Sequence, residues 1–361
     1  MKELVNNIIE CDFEEIQRIN FPQNERFGLI TYINNVKYEF LLNLKGSEQI
    51  LVLGSGARPE NQTIEDKQRP FFNRWSWNFN ESMIVYNDPT TYLNEEIRCG
   101  WGVGTIDDYY LENISKIILE ITNNLKISNE NIIFYGSSVG GFMSLMLSAM
   151  IKNSISIAEI PQLDISNYWR RHWERIIKYS FHGLNEEQIK RDYGDRIDVI
   201  EKFKKERYIP KSLLILDCSD DYDLNEHYIP FFRRLMELPY SDAENNMRIR
   251  IDGKNQGHVP SDFDNTVNTI SNMISLYFNK SKTYMDTISE LNQELLKKNE
   301  KYNSNIIKKD EEIKELIKKL QLQEEEIIKL KNFKEDVLNS NTWKYTESLR
   351  NITKRVKSSK K

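Results

Sequence analysis

NIIFYGSSVGGFMSLMLSAM, residues 131–150, changes character halfway along. Up to Tyr135 it is β-branched and aromatic, which suits a buried strand. From Phe142 to Met150 it is apolar with Ser144, Ser148 and Ala149 interspersed, the composition of a helix lying close on a sheet. Between the two, Gly136-Ser137-Ser138-Val139-Gly140-Gly141 matches Gly-x-Ser-x-Gly, the strand–turn–helix signature of a nucleophile elbow. Ordinary tight turns also carry this pattern, so the remaining sequence has to supply partners for Ser138.

Working outward, strand-like and helix-like segments alternate from residue 46 to 280. QILVLGSG reads as a strand entering a glycine turn, and SMIVYNDP as a strand ending at Pro89. DDYYLENISKIILEITNNL has helical periodicity with an acidic start, and SISIAEIP, SLLILDCS and NMRIRIDG read as further strands. The alternation predicts the α/β class with a mainly parallel sheet flanked by helices. Ligands in such sheets bind at the carboxyl ends of the strands, and every chemically suggestive loop here follows a strand. Residues 1–45 form an N-terminal β-rich extension, with a hairpin in FGLITYINNVKYEFLLNL turning at Asn34-Asn35.

A serine hydroxyl needs a base, and a base needs an acid to orient it. In α/β-hydrolases the three follow in the order Ser, acid, His. Of the four histidines, His258 lies late and beside a glycine, in IRIDGKNQGHVPSDF, after the last strand. His172 in YWRRHWERI and His227 in DLNEHYIPF read as helical or loop surface. The acid should follow the preceding strand, where Asp217, Asp220, Asp221 and Asp223 crowd together. The register favours Asp221, with Asp220 and then Asp223 as alternatives. An oxyanion hole needs two backbone donors: Val139, after the nucleophile, and the loop of Gly54, Ser55, Gly56 and Ala57. A phosphate-cradling turn is the other reading of GSGARP, though no lysine follows it. Arg69, Arg74, Trp75, Trp77, Trp101 and Tyr109 interleave cations with aromatics, which suits sugar stacking or an anionic substrate. Gln162 and Asp164, in PQLDISNYW, are a further substrate-side pair. Core packing is the alternative for each of these side chains.

Over 361 residues the formal charge is −5, so no global field calls for nucleic acid. MKELVNNIIECDFEEIQ has acids where a signal peptide has its apolar core, and no apolar run approaches the roughly 18 residues of a membrane span. A cytoplasmic location is expected. Cys11, Cys99 and Cys218 show neither metal-ligand spacing nor a disulfide framework, and no metal or nucleotide cofactor is indicated.

From 281 the composition turns to Lys, Glu, Leu, Ile and Asn without Pro or Gly. Ile288, Leu295 and Tyr302 recur at sevens with Leu291 between them. After a four-residue stutter Ile306, Ile313, Leu320 and Ile327 continue the seam, with Leu316, Leu330 and Val337 at d positions. Residues 281–338 are expected to form a parallel, oligomeric coiled coil; a single charged helix folded back on the domain is the alternative. In the tail, 339–361, Trp343, Tyr345, Leu349, Ile352 and Val356 fall near one helical face. Lys344, Arg350, Lys354, Arg355, Lys357, Lys360 and Lys361 outweigh Glu347 there. A basic amphipathic helix for the inner membrane face or an acidic partner is expected, with a disordered tail as the alternative.

With these pieces assembled, the chain resembles the α/β-hydrolase-like XcbB/CpsF capsular polysaccharide biosynthesis proteins. More distantly, it is similar to accessory secretory proteins of serine-rich glycoprotein export. LGSGARP, RPFFNRWSW, NDPTTY, GWGVGT, FYGSSVGGFMSL, EIPQLDISNYW and CSDDYD carry the resemblance over residues 50–260. NTWKYTESLR also looks like tails of glycosyltransferase-associated polypeptides, with Glu347-Ser348 where proline is expected. The resemblance implies work on a cell-surface glycan, with the family serine at Ser138, the histidine at His258 and the acid within residues 220–223. Two functions are therefore expected to compete. One is serine-type acyl transfer or ester hydrolysis on a glycan or its precursor. The other is a non-catalytic scaffold, multimerised by its coiled coil, that organises glycosyltransferases or an export complex.

Overall fold

The computed structural model describes residues 1, 3–60, 62–76, 78–239, 246–252, 257–278 and 284–358. Trp77, Lys360 and Lys361 lie outside the described residues, as do the side chains of Ile288, Leu291, Leu295, Arg355, Val356 and Lys357. The strands are β1 (Asn7–Glu10), β2 (Arg26–Ile33), β3 (Val36–Asn43), β4 (Ile50–Gly54), β5 (Ser82–Tyr86), β6 (Ile132–Ser137), β7 (Ile155–Glu159), β8 (Lys211–Leu216) and β9 (Met247–Ile251). Among the described residues they form one nine-stranded sheet in the order β1-β2-β3-β5-β4-β6-β7-β8-β9. From β5 to β9 every neighbouring pair is parallel. β4, β6 and β7 are buried along their whole length, as expected for strands of a parallel sheet covered on both faces.

The N-terminal hairpin continues this sheet. Asn34 and Asn35 both have positive φ, 53° and 64°, as a two-residue primed turn requires, and Ile33 pairs with Val36 across it. β3 then pairs antiparallel with β5.

Helices cover the sheet. α1 (Tyr110–Asn124) turns Leu111, Ile114, Ile117, Ile118 and Ile121 inward and leaves a Lys116–Glu112 ion pair outside. α2 (Val139–Met150) is buried on all sides except at Met150. Its polar groups are satisfied: Ser144 Oγ donates to the Gly140 carbonyl at 2.8 Å and Ser148 Oγ to the Ser154 carbonyl at 3.1 Å. α3 (Arg170–Ser180), α4 (Glu186–Ile197), α5 (Val199–Glu206), α6 (Ile229–Met236) and α7 (Phe263–Phe278) follow.

Because β4 lies between β5 and β6, the chain leaves β4 toward one edge and later returns on its other side. The loops after β4 and β6 therefore diverge at a topological switch point, where open α/β sheets bind ligands.

The chain divides into two compact units, Met1–Asn272 and Met273–Lys361. The second is dominated by α8 (Tyr284–Asn339), about 84 Å long at the usual helical rise. After it, Ser340 caps a helical turn by accepting from the Trp343 amide at 3.2 Å, and α9 (Glu347–Ser358) follows. Among the described residues no helix is long and apolar enough to cross a membrane.

Candidate active site

The elbow is built by glycine. Ser138 follows β6 with φ 55° and ψ −118°, a conformation that non-glycine residues seldom adopt. A Cβ on Gly136 would stand 2.3 Å from the Gly140 carbonyl, and one on Gly140 would stand 2.7 Å from the Gly54 oxygen. Only glycine at both positions lets α2 start this close to β4 and β6. The Ser138 amide donates to the Glu159 carbonyl at 2.9 Å, and the Ser138 carbonyl accepts from Phe142 at 3.1 Å. Val139, as the first helical residue, has one of the amides that α2 itself cannot satisfy.

Loops at the carboxyl ends of three other strands converge on this serine. From the loop after β9, His258 Nε2 lies 2.8 Å from Ser138 Oγ, and its Nδ1 lies 2.6 Å from Asp223 Oδ2. A carboxylate only accepts, so the Nδ1 position carries the proton and Nε2 is left to accept from the serine hydroxyl. The acid in contact is thus Asp223, and the sequence register favouring Asp221 is corrected. Local turn chemistry is the reason. Asp220 acts as a cap, accepting from the Tyr222 and Asp223 amides at 2.9 and 3.2 Å. The helical turn it starts points Asp221 to solvent and buries Asp223.

Glu159, at the end of β7, braces both sides of the contact. Its carbonyl holds the Ser138 amide, and its buried carboxylate accepts from the Ser261 amide at 2.8 Å, pinning the loop that carries His258. The other carboxylate oxygen accepts from Tyr135 Oη at 2.8 Å. Arg74 is buried with its guanidinium 4.9 Å over the Tyr135 ring, and it donates to Ser137 Oγ beside Ser138. The role of Glu159 was not visible along the chain, because its partner Ser261 lies more than a hundred positions away.

Gln162, fully buried in the loop after β7, joins the group directly. Its Nε2 donates to Ser138 Oγ at 2.9 Å and lies 3.4 Å from His258 Nε2, while its Oε1 accepts from Trp101 Nε1 at 3.2 Å. Trp101 is itself fully buried, so it serves as a clamp on Gln162 and presents no open face for a sugar. Ser55, Gly56 and Val139 line a common cavity of about 10 Å³. Ser55 Oγ fixes that loop by donating to the Phe71 carbonyl at 2.9 Å, Gly54 is the glycine against which Gly140 packs, and Ala57 packs on the core.

Other expected site residues are placed elsewhere. Arg69 is exposed and held in ion pairs with Glu3 at 3.3 Å and Glu65 at 2.6 Å. Trp75 is buried beneath the Arg26 guanidinium, 5.0 Å from its ring. Asp164 caps a 3-10 turn, accepting from the Ser166 amide and hydroxyl at 2.9 and 2.6 Å. In the same loop Tyr168 and Trp169 stack at 5.5 Å, with Trp101 edge-on to Tyr168 at 5.7 Å. His172 and His227 are buried, contrary to the surface reading, and desolvation lowers each to a pKa of about 4. His227 Nδ1 accepts from the Leu163 amide at 3.4 Å, so the neutral ring supports the loop that carries Gln162.

Among solved structures the chain is similar to a capsule O-acetyltransferase of Neisseria meningitidis serogroup A. The identity is 19%, the TM-score is 0.51, and the match covers 68% of this chain and 94% of that one. It is also similar to the Gap123 glycosylation-associated complex of Streptococcus agalactiae, at 15% identity and a TM-score of 0.44, over 72% of this chain and 47% of that one. A third is the serine hydrolase FphF of Staphylococcus aureus, at 12% identity and a TM-score of 0.45, over 71% of this chain and 99% of that one. No protein-family model matches the chain, and no curated protein does. At this identity the likeness to the meningococcal structure shows the fold alone, a mainly parallel, α/β-hydrolase-like sheet flanked by helices. The first of these neighbours is a capsule enzyme, the class that the sequence resembles.

Proposed function

We propose that the protein carries out acyl transfer of the serine-hydrolase type on a hydroxyl of a bacterial cell-surface glycan or its precursor. The observation that carries this reading is the unbroken chain of contacts from Ser138 Oγ through His258 to Asp223, at 2.8 and 2.6 Å. Ser138 gives its proton to His258 Nε2 and attacks the acyl carbonyl, while Asp223 stabilises the imidazolium and holds its tautomer. The Val139 amide and the loop of residues 54–57 receive the developing oxyanion. His258 returns the proton to the leaving group, and the acyl group then passes from Ser138 to the glycan hydroxyl. The glycan part of the proposal draws on the capsule-family sequence resemblance and on the substrate in the name of the meningococcal neighbour. Mass analysis after exposure to p-nitrophenyl acetate tests the chemistry. One acetyl group on the Ser138 peptide, absent in Ser138→Ala, is expected; an unmodified wild-type peptide contradicts it.

A second role is favoured by the surface of α8. Ile306, Ile313, Leu316, Leu320, Ile327 and Leu330 are all at least half exposed along one heptad seam. With Ile313 and Leu320 at a positions, Lys319 and Glu326 fall at g. There they oppose Glu324 and Lys331 of a parallel second copy with opposite charge. In this reading α8 is a homo-oligomeric coiled coil. Trp343, Tyr345, Leu349 and Ile352 are exposed beside Lys344 and Lys354, which supports a peripheral position for the oligomer on the cytoplasmic membrane face. A glycosyltransferase or export partner is the expected neighbour there. Light scattering tests the oligomer directly: a monomer at micromolar concentration contradicts it.

A further inference from the structure

We propose that Gln162 is a positioning residue that holds, in turn, each oxygen that gives its proton to His258. That oxygen is Ser138 Oγ while the acyl-enzyme forms and the incoming hydroxyl oxygen while it breaks down. The inference rests on the acyl-transfer reading of Ser138 and extends it to the second half-reaction.

The orientation of the amide is dictated by chemistry. An indole N–H only donates, so the group 3.2 Å from Trp101 Nε1 has to be the Gln162 oxygen. Both amide hydrogens then face away from Trp101, toward Ser138 Oγ at 2.9 Å and His258 Nε2 at 3.4 Å. The backbone is held on both sides of the residue. The Ile160 amide donates to the Ile215 carbonyl at 2.7 Å, and the Leu163 amide donates to His227 Nδ1 at 3.4 Å. With its side chain fully buried and its oxygen clamped, the amide has little freedom to turn away. The serine hydroxyl therefore donates to His258 while accepting from Gln162, and both of its roles are filled.

Acylation changes this balance. Once Oγ is an ester oxygen it has lost its hydrogen and its lone pairs are drawn toward the carbonyl, so it accepts weakly. The Gln162 N–H is then open to another acceptor within reach of His258 Nε2. An incoming hydroxyl fits: its oxygen accepts from Gln162 and its proton points at Nε2. That proton passes to His258 as the new C–O bond forms, the bond from carbon to Oγ breaks, and the proton ends on Oγ. The resting contact with Gln162 is restored, and no other reactant is needed.

The test is rapid-mixing kinetics with p-nitrophenyl acetate, reading the acylation burst and the steady-state turnover of folded variants. Gln162→Glu keeps the shape and an acceptor for Trp101, but it turns an acceptor toward Oγ that competes with His258 for the hydroxyl proton. A burst rate about 10²-fold lower is expected. Gln162→Met keeps the length without the donor, and about a tenfold loss in both burst and turnover is expected. Trp101→Phe, which frees the amide without removing it, should cost least. A residue that merely fills space gives the reverse ranking, with Trp101→Phe worst and Gln162→Glu near wild type, and that result overturns the proposal. A wild type that releases p-nitrophenol no faster than Ser138→Ala, in burst or in turnover, removes the acyl-enzyme reading itself, and this inference with it. The variant ranking is separate from that outcome, since it exists only where the wild type outpaces Ser138→Ala.

Discussion

The two compact units treat apolar side chains in opposite ways. In Met1–Asn272, Phe142, Leu145 and Leu147 on α2 have no exposure at all; on α8, Leu320 is 60% and Leu330 61% exposed. The first unit closes its core within one chain, because helices cover the parallel sheet and bury β4, β6 and β7 along their whole length, although Ile249 and Ile251 on the edge strand β9 stay exposed. A single helix cannot do this, and an apolar seam of this length calls for a surface from outside it. The chemistry-bearing loops belong to the self-sufficient unit, while the unsatisfied surface belongs to the other. Catalysis and assembly should therefore respond separately to mutation.

The largest separation is expected between neighbouring aspartates. Asp223→Asn should slow acylation by about 10⁴-fold, since the histidine loses its tautomer and its counter-charge. Asp221→Asn, two positions away and exposed, should stay within about twofold. Equal losses in burst kinetics would undo the assignment of the acid. Next comes apolar truncation in each unit. Phe142→Ala should cost about 3–5 kcal/mol in denaturant unfolding of the sheet unit. Leu320→Asp should instead halve the mass seen by light scattering, or reduce it further, and leave the acylation burst unchanged. A fall in the burst with Leu320→Asp would mean that the two units are coupled.

Acid should weaken the first unit in a defined window. His227 has a folded-state pKa lowered to about 4 by desolvation, so between about 6.5 and 4 the unfolded chain binds the proton and the folded one does not. Stability contributed by the neutral ring is complete above about 6.5 and is lost as pH falls through that range, by about 3 kcal/mol. His227→Gln should flatten this limb in thermal unfolding followed against pH. An unchanged slope would show that the ring titrates normally. The smallest effect is expected from Glu159→Gln, which keeps an oxygen for Ser261 but loses the charge. About 1 kcal/mol of stability and a several-fold slower burst are expected.

Much of the first unit was readable because its signals are local. Asn34-Asn35 requires positive φ, and the Gly-x-Ser-x-Gly turn requires two positions without Cβ, so a short window specifies each. The strand-like runs after the elbow were legible because parallel strands buried on both faces are nearly continuous apolar segments. His258 was legible from its glycine neighbour and its place after the last strand. The acid was not, since Asp220, Asp221 and Asp223 are chemically alike and only the turn capped by Asp220 decides which of them points inward. Gln162 was picked out as a substrate-side residue, but its contact with Ser138 depends on Trp101, sixty-one positions earlier. His172 and His227 looked exposed because polar neighbours in sequence concealed aromatic neighbours in space: Tyr168 lies 5.6 and 6.2 Å from their rings.

The central claim is that Ser138 is an activated nucleophile whose partners are His258 and Asp223. The most direct measurement is labelling by a fluorophosphonate probe, whose phosphorus is attacked by an activated serine. Wild type would be run beside Ser138→Ala, His258→Ala, Asp223→Asn and Asp221→Asn. Labelling that is strong in wild type and Asp221→Asn and lost in the other three is the predicted result. A folded wild type that stays unlabelled, or labelling that survives in Ser138→Ala, would contradict it.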